Sequence, residues 1–155
     1  MQKDKNIINI SVIYRRTAMW EESYADSLGL SQAMIPVLAS ICKNNGILQN
    51  ELVKCLNMDK GTVTKNVLKL EENDFIRREG VTGDKRAYYL VPTEKASDIY
   101  PIIVKNGITW FEHLTKGMTL EERKQFEILL DIAAKNSLKT VEVLENENKT
   151  NEISR

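Results

Sequence analysis

Histidine and cysteine are nearly missing from this chain of 155 residues, which has one histidine, His113, and two cysteines, Cys42 and Cys55. So few imidazole and thiol ligands exclude a zinc or iron–sulfur centre of the usual spacing and a disulfide framework, and no Ser–His or Cys–His pairing stands out. Glycine is sparse at 7 residues, and none of them builds a phosphate-cradling G-x-G-x-x-G or P-loop. An enzyme carrying its own cofactor is therefore not expected, and neither a cofactor nor a metal is assigned. No charge of one sign is in excess, since 22 basic residues face 22 acidic ones. Affinity for a charged partner must then come from local placement rather than from the whole molecule's field. No apolar run approaches the roughly 20 residues of a membrane-spanning helix. Met1-Gln2-Lys3-Asp4-Lys5 is not followed by a signal-like apolar stretch. A soluble, cytoplasmic protein without a membrane partner is expected, of one domain or a compact domain with an extension.

What the chain does have is concentrated between Gln49 and Pro92. Leu52, Val53 and Leu56 give a short helix one apolar face, and Asn57-Met58 leaves only a tight turn before Asp59, which can cap a second helix. Val63, Val67 and Leu70 recur at helical spacing on that second helix, and Thr62, Lys65, Asn66 and Lys69 are read as its opposite, polar face. Such a face holds hydroxyl, amide and ammonium donors without a carboxylate, the acids Glu71, Glu72 and Asp74 coming only at its end. These groups suit phosphates and base edges in a major groove. Phe75-Ile76-Arg77-Arg78 and Ala87-Tyr88-Tyr89-Leu90-Val91 then read as two strands around a glycine-containing tip, Glu79–Arg86. Helix, turn, helix and hairpin together make a winged helix-turn-helix. Its basic side chains Lys60, Lys65, Lys69, Arg77, Arg78, Lys85 and Arg86 alternate with acids in sequence but can share one surface.

The flanks read as helices. Ile10, Ile13, Thr17, Trp20 and Tyr24, with Tyr14 beside them, form a stripe between Asn6 and Leu28; Gly29 ends that helix and Ser31 can cap the next. Pro36 predicts an irregular first turn in the second helix, and Gly46 suits a left-handed cap at its end. Thr93 can cap a long helix that Pro101 and Gly107 are expected to kink or divide. Thr119-Leu120-Glu121-Glu122 has the form of a capping box after Gly117. The last helix carries Phe126, Leu129, Leu130, Ala133, Leu138 and Val141, a stripe too long for a small reader domain to cover, so a symmetric dimer is expected. The fold class is thus mostly α with a small β-hairpin wing (α+β). Residues 1–30 and 93–146 are the helical dimerisation region, 31–92 the winged helix-turn-helix and 147–155 a polar tail.

The run L-Q-N-E-L-V-K-C-L-N-M-D-K-G-T-V-T-K-N-V-L-K-L-E-E-N-D-F-I-R-R, followed by G-D-K-R-A-Y-Y-L-V-P-T-E-K-A, resembles the multiple-antibiotic-resistance regulator (MarR) family of transcription factors. Asp84-Lys85-Arg86 matches the family's wing motif, while Val91-Pro92 is inserted before Thr93 and Ala96 stands where glycine is usual. The resemblance implies a homodimeric DNA-binding regulator, by default a repressor, on an imperfect palindrome. It implies that Arg86 reaches the minor groove or its phosphates; an ion pair with Asp84 is the alternative. Thr62, Thr64, Lys65 and Asn66 are candidates near base edges, Lys60 and Lys69 for phosphates. The family also implies release by a small aromatic or phenolic ligand, for which Tyr14, Trp20, Tyr24, Met34, Trp110 and His113 are candidates, ordinary core packing being the alternative. A thiol switch is not expected, since the first helix has no cysteine and Cys42 and Cys55 fall in helices around the reader as packing thiols. A winged helix used only to bind proteins is the competing class. Such a module would have no reason to bind DNA with an affinity that falls as salt rises.

Overall fold

The computed structural model describes the backbone of residues 2–153 and the side chains of residues 5–83 and 87–140. Its elements are α1 (Gln2–Ala25), α2 (Ile35–Asn44), β1 (Ile47–Leu48), α3 (Gln49–Leu56), α4 (Lys60–Glu72), β2 (Ile76–Val81), β3 (Asp84–Pro92), α5 (Glu94–Leu114) and α6 (Leu120–Ile153). Two short 3-10 turns, Asp26–Leu28 and Gln32–Met34, lie between α1 and α2. The fold class is the expected one, helical with a small antiparallel sheet. Two compact units are formed, Met1–Phe111 and Glu112–Arg155.

In the first unit the apolar positions of α2, α3 and α4 converge. Leu38, Ile41, Leu52, Val63, Val67, Leu70, Phe75 and Leu90 are all fully buried. Each such side chain contributes about 1.5–3 kcal/mol relative to remaining in water, so this cluster holds the small domain together. Pro36 sits in the first turn of α2, directly after the 3-10 turn, where a missing N–H costs nothing and the irregular start is absorbed. Asn45, not Gly46, takes the left-handed cap of α2, with φ 48°; Gly46 follows at φ 115°. Asparagine tolerates that region better than most side chains, and Asn57 repeats the device at the end of α3 with φ 46°.

The sheet has a third strand that the sequence pattern does not announce. β1 is only Ile47–Leu48, and it pairs antiparallel with β3 through Ile47↔Leu90 and Leu48↔Tyr89, giving the order β1-β3-β2. The strands β2 and β3 also extend through most of the expected tip, since Val81 pairs with Asp84 across Thr82-Gly83, after a register irregularity at Gly80/Val81. Gly83 supplies the positive φ, 90°, that so tight a connection requires.

Thr93 closes the wing onto α5. Its hydroxyl donates to the carbonyls of Asp74 at 2.8 Å and Phe75 at 3.1 Å and accepts from Ala96 N–H at 3.3 Å. Pro101 and Gly107 do not divide α5, which runs unbroken from Glu94 to Leu114. The second unit contains the capping box: Glu122 accepts from Thr119 N–H at 2.7 Å and Glu122 N–H donates to Thr119 Oγ1 at 3.2 Å. That backbone donor, with the Thr119 hydroxyl, holds the Glu122 carboxyl below its ordinary range. Four apolar side chains of α6 are exposed: Ile128, Leu129, Leu130 and Ile132 at 56%, 52%, 46% and 48%. The side chains of Val141 and of the polar tail 147–155 lie outside the described residues.

Candidate nucleic-acid interface

Helix α4 begins at Asp59, whose extended backbone (φ −62°, ψ 146°) brings its carboxylate onto Thr62 N–H at 2.9 Å. The hydroxyl of Thr62, then its backbone N–H, hold the Asp59 carboxyl below its ordinary value of 3.8. A depressed pKa means that the cap adds stability at neutral pH and loses it as pH falls through the folded value. Asp59→Ala should therefore lower the melting temperature at pH 7, and the difference from the unsubstituted chain should close below about pH 4. A difference independent of pH would contradict the cap. Gly61 belongs to the same arrangement, because an added Cβ would lie 3.1 Å from the Asp59 carboxylate oxygen.

The outward side of α4 is not quite the one expected. Asn66 is buried at 6% exposure, its amide donating to the Thr62 carbonyl at 3.0 Å beside Val63, Val67 and Leu70. It is not available to a base edge. The core of α2 and of the turn before it packs against that side of the helix, and Asn66 satisfies its amide on its own backbone. In its place Leu68 points outward at 44% exposure. An open depression of about 660 Å³ on the outer side is lined by Lys60, Gly61, Thr64, Lys65, Leu68, Lys69 and Glu72. A single helix cannot enclose a ligand, so this is an open surface and not a closed cavity. Measured from Val63, Val67 and Leu70 at about 100° per residue, Gly61, Lys65 and Leu68 do lie opposite the core; residue type had hidden Leu68. Glu72 puts a carboxylate at the end of that face, where the sequence already places the acids.

Lys60, Lys65 and Lys69 are exposed, and Thr62 and Thr64 are half-buried. Thr64 is tied down: its hydroxyl donates to the Lys60 carbonyl at 2.8 Å and accepts from Gln49 Nε2 at 2.9 Å. Gln49 Oε1 in turn accepts from the Tyr88 hydroxyl at 2.9 Å, so β3, α3 and α4 share one chain of bonds. Tyr88→Phe keeps the ring and cuts the chain. A loss of about 1 kcal/mol in urea unfolding is expected, and an unchanged midpoint would show that the bond carries no net stability.

On the wing, Arg77 donates twice to Glu79 Oε1, at 3.0 and 2.8 Å, and once to the Pro92 carbonyl at 3.4 Å. Both partners of the ion pair are more than half exposed, 57% and 52%, so Arg77 can leave Glu79 for a phosphate at a cost below about 1 kcal/mol. Arg78 lies 3.0 Å from Glu71 and 4.5 Å over the Tyr88 ring, which locks the foot of the wing to the end of α4. The side chains of Lys85 and Arg86 lie outside the described residues.

Comparison with known proteins follows the same outline. Residues 28–87 match the profile of the MarR family. The uncharacterised HTH-type transcriptional regulator YybA of Bacillus subtilis (strain 168) is 30% identical over 122 residues, 79% of this chain and 81% of its own length. The chain belongs to the MarR family. Two solved MarR-family structures superimpose closely. A transcriptional regulator from Listeria monocytogenes, complexed with 26mer DNA, is 28% identical with a TM-score of 0.82, covering 86% of this chain and 89% of its own. One from Methanosarcina mazei Go1 is 26% identical with a TM-score of 0.81, covering 88% and 99%. As a MarR-family protein the chain is a transcriptional regulator and not an enzyme.

The expected effector residues of the first unit of this MarR-family chain differ in their surroundings. Trp20 and Trp110 stack, with ring centroids 5.5 Å apart, and their indole N–H groups donate to Asn106 O at 3.1 Å and Thr17 Oγ1 at 2.9 Å. Met34 is buried in the core and Tyr24 packs against it, whereas Tyr14 is 75% exposed. Burial, then the charge of Glu21, raises the Tyr24 phenol. His113 belongs to the second unit. Of the two thiols, burial pushes Cys42 up to about 11, leaving it protonated and unreactive at neutral pH. Cys55 is exposed, contrary to the packing role expected of it, with its sulfur 3.6 Å from Ser40 Oγ. Among the described residues no group of His, Cys, Asp and Glu has the spacing of a metal site, and no single helix is long and apolar enough to cross a membrane.

Proposed function

We propose that the chain is a sequence-specific double-stranded DNA-binding repressor that acts in the cytoplasm as a homodimer. The observation that carries this reading is the outer side of α4: exposed Lys60, Lys65 and Lys69 around a stripe that begins at Gly61, in a winged helix whose relative from Listeria monocytogenes is complexed with DNA. Each α4 enters a major groove, with Lys65 and Thr64 near base edges, Thr62 at the rim and Lys60 and Lys69 on phosphates. The wing follows with Arg77, Lys85 and Arg86. Residues 31–92 are the reader, and 1–30 with 93–146 pair the two copies.

Support for pairing comes from apolar surface left in water. Ile7, Ile8 and Ile10 of α1 are 70%, 59% and 68% exposed, and α6 has the uncovered residues given above. Patches of this kind mark interfaces, and a two-fold pair places its reading helices roughly 34–36 Å apart, one turn of duplex. Repression follows from a dimer occupying an operator that polymerase needs. Selection of bound duplexes by the full chain tests the reading. The selected sequences should be imperfect palindromes, and log affinity should fall linearly with log salt as counterions are displaced from phosphates. Binding indifferent to salt would favour a protein-interaction module instead.

Release by a small aromatic molecule completes the proposal. Trp20 and Trp110 are the chain's only tryptophans, so indole fluorescence reports on their stack alone. Titration with a phenolic acid should change that emission and weaken duplex binding over the same concentration range. A fluorescence change without loss of DNA affinity would separate ligand binding from regulation.

A further inference from the structure

Helix α4 has four large apolar residues after its cap, and they divide sharply: Val63, Val67 and Leu70 are fully buried, while Leu68 is 44% exposed. A single exposed leucine on a protein surface is ordinary. The surroundings of this one are not those of an ordinary surface residue. Leu68 lies two turns along the same line as Gly61, and Thr64, Lys65 and Lys69 border it within one turn on the outer side of the helix. Lys60 and Lys69 suit phosphates flanking a groove, and the leucine beside Lys65 suits the floor.

Only one group on the floor of a major groove welcomes an aliphatic side chain, the C5-methyl of thymine. Against a cytosine amino group or a guanine carbonyl, leucine would displace water without replacing its hydrogen bonds. We propose that Leu68 is a specificity-determining residue that reads thymine methyl groups, favouring thymine by contact and disfavouring other bases by unpaired desolvation. This rests on the reading of α4 as a duplex-binding helix, and it adds an apolar contact to the polar ones assigned to the lysines and threonines. Glu72, one turn further, bounds the contact, since its carboxylate is repelled by phosphates.

The test uses the full chain and a duplex that it selects from a random pool. Each thymine of that duplex is replaced in turn by deoxyuridine, which removes the methyl group and nothing else. The unsubstituted chain should lose about fourfold in affinity at a small number of thymines in each half-site, the worth of burying one methyl-sized group. In Leu68→Ala those same replacements should have no further effect, whereas Leu68→Met should keep the sensitivity. Circular dichroism of both variants should match the unsubstituted chain, because the side chain is largely outside the core. A duplex bound with the expected salt dependence but with no methyl-sensitive thymine would sink this inference alone, as would an unchanged uridine profile in Leu68→Ala. Failure to select any duplex would remove both this inference and the DNA-binding reading.

Discussion

Replacing Lys65 and Arg86 together by alanine is expected to weaken binding to the selected duplex by about 10³-fold, at about 1 kcal/mol for each of four contacts in a two-fold complex. Lys65 is exposed on the outer side of α4 and takes no part in the core, so its removal changes the surface that DNA meets and little else. Arg86 enters through the Asp84-Lys85-Arg86 wing motif of the family. The single variants should each lose about 30-fold, because every substitution is made in both copies. Wherever a lost contact was to a phosphate, the salt dependence should become shallower by about one counterion per contact. Gel-shift titration at several salt concentrations, with sizing to confirm intact assembly, gives all of these quantities. Unchanged affinity in both single variants would remove the assignment of these side chains to the interface.

Ending the chain at Met118 is the second large change, since it deletes the whole of α6. The apolar residues that α6 leaves in water are expected to find their cover in a second copy, and without them the discrete dimer should be lost in sedimentation or light scattering. Operator affinity should fall with it. Two linked readers gain about 10²–10⁴ over one through effective concentration, and that factor disappears when the link does. Measured binding should then fit one half-site with no cooperativity. A shortened chain that still runs as a discrete dimer, or a full chain that is monomeric, would contradict the assignment of the terminal helices to pairing.

The two expectations draw on parts of the protein that were unequally legible. The face of α4 was read from residue types at helical spacing, and that reading misplaced its centre. Asn66 was assigned outward because it is polar, and Leu68 was passed over because it is apolar. Thr64, a candidate for contact near a base edge, is bonded to Gln49, 15 positions earlier. Tyr88, which had no assigned role, reaches Gln49 across 39 positions. Pairing of Ile47 with Leu90 is of the same kind, for two residues are too few to show a period.

The amino-acid sequence by itself determined where α4, α5 and α6 begin, because their caps are made within a few residues of themselves. Asp59 to Thr62, Thr93 to Ala96 and Thr119 to Glu122 each close over three positions and need no help from the rest of the chain. It also determined the order helix, turn, helix and wing, since hydrophobic period and turn residues are local quantities. Only the tertiary structure decided that a third strand backs the wing, and it showed that Asn66 is buried while Leu68 is not. Those outcomes depend on what packs against a helix from far along the chain. A polar side chain that can bond its own backbone goes inward when its neighbours are held there, and an apolar one stays in water when the core is already full.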